Sequence, residues 1–312
     1  MIEAPRKLSR RTLIGSAALA ASGSPPVRAQ APAIRIGVLN DQSGLYADFG
    51  GPTSVLAARM AVEDHGGKAL GRPVEVIAAD HQNKPDVATS IARSWFDREN
   101  VTAIADLTNS AVALAVQHLA RERGKITLLT GPATTRLTNE ECSPTGFHWV
   151  FDTYSQAAGT ARALLAEGGK TWFLLVADYA FGHQMAVDLR SVISAGGGQV
   201  LGEVRHPLNA SDFSSYLIQA RASNAQIIGL ANGGDDTVNA IKQAGEFGLT
   251  GGGQKLAGLV IVISIVHALG LQTAQGLVFT TAYYWDLDDR TRSWAKRFFA
   301  RTGRMPGMVQ AG

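Results

Sequence analysis

The chain repeats one rhythm twice, and that rhythm limits what it can become. Between residues 34 and 130, short apolar runs at 34–39, 73–79, 101–105 and 125–130 alternate with stretches of helical period at 53–65, 86–98 and 111–123. Such alternation asks for a parallel sheet with helices on both faces, because each parallel connection has to cross the sheet and a helix is the usual crossing. Residues 131–146 interrupt it with Pro132, Asn139 and Pro144, and a short aromatic strand is predicted at 147–151. A second series then starts at Ser155. Its strands are predicted at 171–177, 199–205, 225–230 and 256–266, and its helices near 155–167, 182–194, 212–221 and 235–247. One further strand at 276–282 and a helix at 290–301 complete it.

Two such series predict an α/β protein of two Rossmann-like, doubly wound parallel-sheet domains. Open parallel sheets take ligands outside the carboxyl ends of their strands. Two of them facing one another would form a cleft from the loops at 41–51, 106–111, 130–135, 178–182 and 231–236. Those loops are rich in Gly, Ser, Thr, Asn and Asp, which suits polar contacts made by hydroxyls and backbone.

The first residues read as an address. Arg6, Lys7, Arg10, Arg11 and Arg28 stand against Glu3 alone in residues 1–31, so this segment carries the whole positive excess of a chain whose net charge is +3. Ser9-Arg10-Arg11-Thr12 is a twin-arginine pattern, a short apolar stretch follows, and Ala29 and Ala31 suit a signal peptidase. Residues 1–31 are therefore expected to be a cleaved export signal and the mature protein periplasmic. The apolar stretches at 13–21 and 256–271 are both shorter than the ~20 residues that span a bilayer. Without its leader the chain is close to neutral, which does not suggest nucleic acid. Cys142 is the one cysteine, so no internal disulfide or multi-cysteine metal site can form.

Catalytic signatures are missing where an α/β enzyme would carry them. No G-x-S-x-G or G-x-G-x-x-G occurs, and Gly169-Lys170-Thr171 fails as a phosphate loop because Leu164 stands where its first glycine belongs. Asp80-His81-Gln82-Asn83 offers neighbouring polar groups, but adjacent residues rarely converge on one ion and no second cluster accompanies them. No metal, cofactor or catalytic residue is assigned.

Several segments, in order, resemble a known family. They are the run from Ile36 to Tyr46 followed by Ala-Arg-Met-Ala-Val-Glu-Asp, then Thr130-Gly-Pro-Ala-Thr-Thr-Arg, Ala177-Asp-Tyr-Ala-Phe-Gly182, the Asp-Phe-Ser ending near 214, and Gln243-Ala-Gly-Glu-Phe-Gly-Leu249. Together they resemble the branched-chain amino-acid-binding (leucine/isoleucine/valine) proteins of ABC transporters over residues 33–312. The resemblance implies a type I periplasmic-binding fold with a multi-crossover hinge. Residues 32–150 and 276–312 would form an N-terminal lobe, residues 151–275 a C-terminal lobe, and the sequence would stop short of the family's usual end, leaving apolar surface exposed. It also implies a partner, the permease subunits of an inner-membrane ABC transporter.

The same resemblance implies a site. A ligand carboxylate would be held by Asn109 and Ser110 and by Pro132, Ala133 and Thr134, with Tyr46 or Phe49 and Tyr179 or Phe181 flanking its body. The chemistry is sound in itself, since hydroxyls and N–H groups at a helix start favour an anion, although Ser110 also stands where it would cap the helix beginning at Ala111. Amino-acid binders of the family place an acid in the second lobe to pair with the ligand's ammonium. The matching stretch, Ile261 to Val266, has only Ser264 as a polar residue, with Asp235 and Asp236 in a neighbouring loop as substitutes. A buried ammonium without a partner costs several kcal/mol. The expected ligand is thus a small carboxylate, an amino acid or more readily an aromatic or aliphatic acid. A ligand-sensing receptor on the same fold, or an exported α/β enzyme, would be the competing functions.

Overall fold

Apolar β-branched runs and capped helices give the chain its two sheets. The computed structural model describes Met1 and residues 32–312; the expected export signal lies outside the described residues. The first half runs β1 (Ile34–Asn40), α1 (Gly51–Asp64), β2 (Lys68–Ala69), β3 (Arg72–Asp80), α2 (Pro85–Asp97), β4 (Val101–Asp106), α3 (Ser110–Glu122), β5 (Ile126–Leu129) and β6 (Gly146–His148). Its sheet has the order β2-β3-β1-β4-β5-β6, parallel apart from the β2–β3 hairpin. The chain steps outward from β1 to β3 and then crosses back to β4, so the order reverses between β1 and β4. The crevice at that reversal, beyond the carboxyl ends of the two strands, is where such sheets bind ligands.

The second half repeats the plan with α4 (Thr153–Ala166), β7 (Thr171–Ala177), α5 (Ala180–Ala195), β8 (Gln199–His206), α6 (Ser214–Ala222), β9 (Ile227–Ala231), α7 (Gly234–Glu246) and β10 (Lys255–Gly258). The order is β10-β9-β7-β8, all parallel, with the reversal between β7 and β9. Every residue of β9 is buried, as expected of a strand covered on both faces. Trp172 on β7 is fully buried and spends its indole N–H on the Gly169 carbonyl at 2.9 Å, so its bulk adds apolar burial without an orphaned donor.

Three predicted strands come out differently. The run 256–266 is not one strand: β10 ends at Gly258, residues 259–262 are irregular but buried, and α8 (Ile263–Leu269) follows, continued by α9 (Leu271–Ala274). A continuous apolar run records burial, which strand, helix and packed loop share, so its period could not separate them. Residues 276–282 form only an isolated bridge, Ala257 to Val278. The aromatic run at 147–151 keeps only its first two residues in β6.

After this stretch the chain returns to the first sheet. α10 (Asp289–Thr302) lays Phe298 against Ala57 and Met60 of α1, and α11 (Met308–Ala311) follows. Arg301 pairs with Glu63 at 2.8 Å, but both are exposed, so the apolar contact matters more than the ion pair. On this face a groove of about 510 Å³ lies open, walled by Ile34, Ile36, Val62, Leu128, Trp149 and Trp294.

Candidate functional site

The carboxyl ends of the two sheets face each other, and the loops beyond them meet. After β1, Asp41 is buried and accepts the backbone N–H groups of Gly44 and Tyr46 at 2.8 Å each, with Asn83 donating to it as well. That carboxylate folds the loop into a knuckle and pushes Tyr46 and Phe49 towards the second sheet. After β4, Asp106 and Leu107 both adopt left-handed φ, 76° and 58°. For a buried leucine this conformation costs of order 1 kcal/mol. It turns the chain sharply enough to aim Thr108 and Ser110 inward.

Between the two sets of loops is a narrow space of about 20 Å³. From the first sheet's side it is lined by Tyr46, Phe49, Thr108, Ser110, Gly131 and Ala133. Phe151, Tyr179, Phe181, Gly233 and Val260 complete it. Five of the eleven lining residues are aromatic, with edge-on contacts of Phe49 to Tyr46 and Phe151 at 6.2 and 6.3 Å between ring centroids. The jaws touch. The hydroxyls of Tyr46 and Tyr179 hydrogen-bond at 2.5 Å, the Asp235 N–H donates to the Leu45 carbonyl at 3.3 Å, and Ser264 donates to the Asp48 carbonyl at 2.9 Å. Burial pushes both tyrosine hydroxyls up, so they stay protonated at neutral pH.

Closure needs glycine at the contact. Gly234 has φ +59°, and a Cβ there would overlap the Leu45 carbonyl oxygen and come within 3.0 Å of the Tyr46 ring. At the edge of the contact, Asp188 on α5 accepts the hydroxyls of Thr135 at 3.2 Å and Thr153 at 2.5 Å, tying the segment after β5 to the start of α4.

The expected site residues divide. Tyr46, Phe49, Ser110, Ala133, Tyr179 and Phe181 line the space together. Ser110 does not cap α3. Asn109 does, its Oδ1 accepting from Ala111 at 2.9 Å and Val112 at 3.2 Å, because the helix starts one residue earlier than its period suggests. The Ser110 hydroxyl instead accepts the N–H groups of Ala133 and Thr134 at 3.4 and 3.3 Å. The remaining four stand just behind the lining or beside it. The Pro132 carbonyl bonds the His148 ring at 2.9 Å, and Thr134 accepts from the Arg136 N–H to start the turn Thr135–Leu137. Asp235 is exposed in the first turn of α7, whereas Asp236 is buried, accepts the Ala210 N–H at 2.9 Å and leaves its Oδ2 unpartnered. Burial lifts Asp236 to about 7.

Thr108, Gly131, Phe151, Gly233 and Val260 line the space without having been singled out in the sequence. Thr108 falls within an expected cleft loop, and only its company with Asp106 and Ser110 hinted at a polar role. Val260 lay hidden inside the apolar run read as a strand. Among the described residues no group of three or more His, Cys, Asp or Glu is placed to hold a metal ion.

Known proteins share this fold. A family model described as periplasmic binding protein matches residues 33–312. A solved periplasmic binding protein from Burkholderia mallei is 52% identical and superposes with a TM-score of 0.88, covering 89% of this chain and 74% of its own. An ABC-transporter solute-binding protein from R. palustris, solved with 4-hydroxybenzoate, is 26% identical with a TM-score of 0.81, covering 89% of this chain and 76% of its own. A Leu/Ile/Val-binding protein homolog from Brucella melitensis is 26% identical over 260 residues, 82% of this chain. The chain spans 65% of the length of that relative. The two parallel-sheet domains are those of a type I periplasmic binding protein.

Proposed function

The chain belongs to the periplasmic binding protein family, and from that premise we propose that it captures a small carboxylate-bearing solute between its two domains for an ABC importer. One observation carries this reading. Loops from both sheets enclose a space with five aromatic side chains in its walls at their two topological switch points, with the Ser110 hydroxyl proton unspent beside it. Aromatic walls sandwich a flat or branched body, and the hydroxyl at a helix start supplies a donor for an anion. The R. palustris relative solved with 4-hydroxybenzoate and the Leu/Ile/Val-binding homolog both support a carboxylate. In this reading residues 1–31 are an export signal cleaved near Ala29–Ala31. The protein works in the periplasm, with permease subunits of the inner membrane as its partner. Residues 32–150 and 276–312 act as one jaw and residues 151–275 as the other.

Isothermal calorimetry with a panel of amino acids and aromatic or aliphatic acids tests the reading. Ser110→Ala and Thr134→Val each remove a hydroxyl with little change of shape. A hydrogen bond to a charged group is worth roughly 1.5–3 kcal/mol, so the variant that loses a ligand contact should bind about tenfold to a hundredfold more weakly. Unchanged affinity in both variants would place the carboxylate elsewhere. Mass spectrometry of the periplasmic protein should find a terminus near residue 30; an intact Met1 on mature protein would sink the export reading.

A further inference from the structure

Two hydroxyls face the enclosed space from the first sheet, and their hydrogen bonds make them chemical opposites. Ser110 accepts two backbone N–H groups, those of Ala133 and Thr134, so its lone pairs are occupied and its proton is free to be donated. Thr108 does the reverse. Its one proton goes to Asp106 Oδ1 at 2.5 Å, leaving only lone pairs for the space it lines. Asp106 is held in place to do this. Asn40 donates to its other oxygen at 2.8 Å, and its own backbone is left-handed. Gly131 packs so tightly against it that a Cβ there would overlap Asp106 Oδ1 and lie 2.6 Å from the Thr108 hydroxyl. The Thr108 hydroxyl therefore has little room to turn away.

We propose, building on the solute-binding reading above, that Thr108 is a specificity-determining acceptor and Asp106 its positioning residue, so that the solute carries an O–H or N–H donor in addition to its carboxylate. A carboxylate set against Thr108 would meet oxygen lone pairs with a second carboxyl group directly behind them. It is driven towards Ser110, and the place beside Thr108 takes a donor. A donor-free acid leaves a buried acceptor unpaired, which is how a site built to bond a hydroxyl rejects the analogue that lacks it. Hydroxy acids, hydroxybenzoates and amino acids satisfy both positions. For an amino acid, the Thr108–Asp106 pair would supply in the first domain the acidic partner missing from residues 261–266.

Calorimetry on matched probes tests the proposal: benzoate against 2-, 3- and 4-hydroxybenzoate, and 4-methylpentanoate against 2-hydroxy-4-methylpentanoate and leucine. On the wild type, the donor-bearing members of whichever skeleton fits should bind at least tenfold more tightly than the donor-free one. Thr108→Val should bring that ratio close to one, while Thr108→Ser, which keeps the hydroxyl, should restore it. A donor-free acid binding as tightly as its partners on the wild type overturns the proposal. So does a Thr108→Val protein, folded by circular dichroism, that weakens all members equally, since Thr108 would then be donating to the carboxylate. Binding by no probe of either series would instead overturn the solute-binding reading and this proposal with it.

Discussion

Ser110 and Thr108 are two residues apart, similar in chemistry and equally buried, yet one offers a proton to the enclosed space and the other offers lone pairs. Nothing in their identities distinguishes them; the partners brought by the end of β4 and by the segment after β5 do. This is why the sequence made Ser110 visible as a hydroxyl beside a helix start but left Thr108 in the background. Buried titrating groups are similarly set by surroundings. Burial holds Asp236 at about 7 against 3.8 for a free carboxyl, so between those values the fold keeps a proton that the unfolded chain has lost. Stability therefore falls as pH rises from about 4 through 7. His81 works the other way. Burial lowers it from 6.5 to about 4, the unfolded chain binds the extra proton in that window, and stability is lost as pH falls through it. The two slopes oppose each other below pH 6.5, and of these two groups only Asp236 contributes above it. Asp236→Asn should raise the melting temperature relative to wild type at pH 8 and much less at pH 4.5. An equal change at both values would mean that Asp236 is not held neutral by the fold.

Each element on the site contributes through its end rather than its length. β1, β4, β7 and β9 deliver loops, and the loops deliver side chains, so errors of a residue or two at an element's end matter most there. The alternation of apolar runs and helical periods was enough to foresee both sheets and most of their strands, because burial on both faces writes itself into sequence as continuous apolar runs. The same rule misread residues 256–266, where a packed loop at 259–262 brings Val260 to the enclosed space and a helix follows. It also set the start of α3 one residue late, hiding the cap at Asn109. Two N–H groups depend on that cap, and Asn109→Ala should cost about 0.5–2 kcal/mol of stability, read by urea unfolding without ligand. A loss below that range would show that the loop, not the cap, holds the start of α3.

The molecule as a whole is a pair of jaws shown shut, held together by the Tyr46–Tyr179 hydroxyls, two further hydrogen bonds to backbone carbonyls and the apolar contacts around them. None of these was foreseen individually, since contacts across a cleft depend on how two separate sheets are set against one another, which local pattern does not encode. The open groove on the α1 side is largely apolar, and an environment-sensitive dye such as anilinonaphthalene sulfonate should fluoresce on binding there. Trp149 and Trp294, which wall it, should report the same event by energy transfer; a dye signal unaffected by replacing Trp149 with a charged residue would place the dye elsewhere. Gly234→Ala should keep the jaws ajar. Ligand would then no longer shrink the radius of gyration in small-angle scattering, whereas wild type should contract; contraction in both would show that the approach of Leu45 to Gly234 is not needed for closure. Any change of amino acid at a glycine codon adds a side chain, so position 234 has no neutral neighbours through which a lineage could drift. Gly131 apart, where a Cβ would overlap Asp106 Oδ1, the side chains that wall the enclosed space carry no such restriction. The seal is thus the part of this protein least free to vary, and the choice of solute the part most easily rewritten.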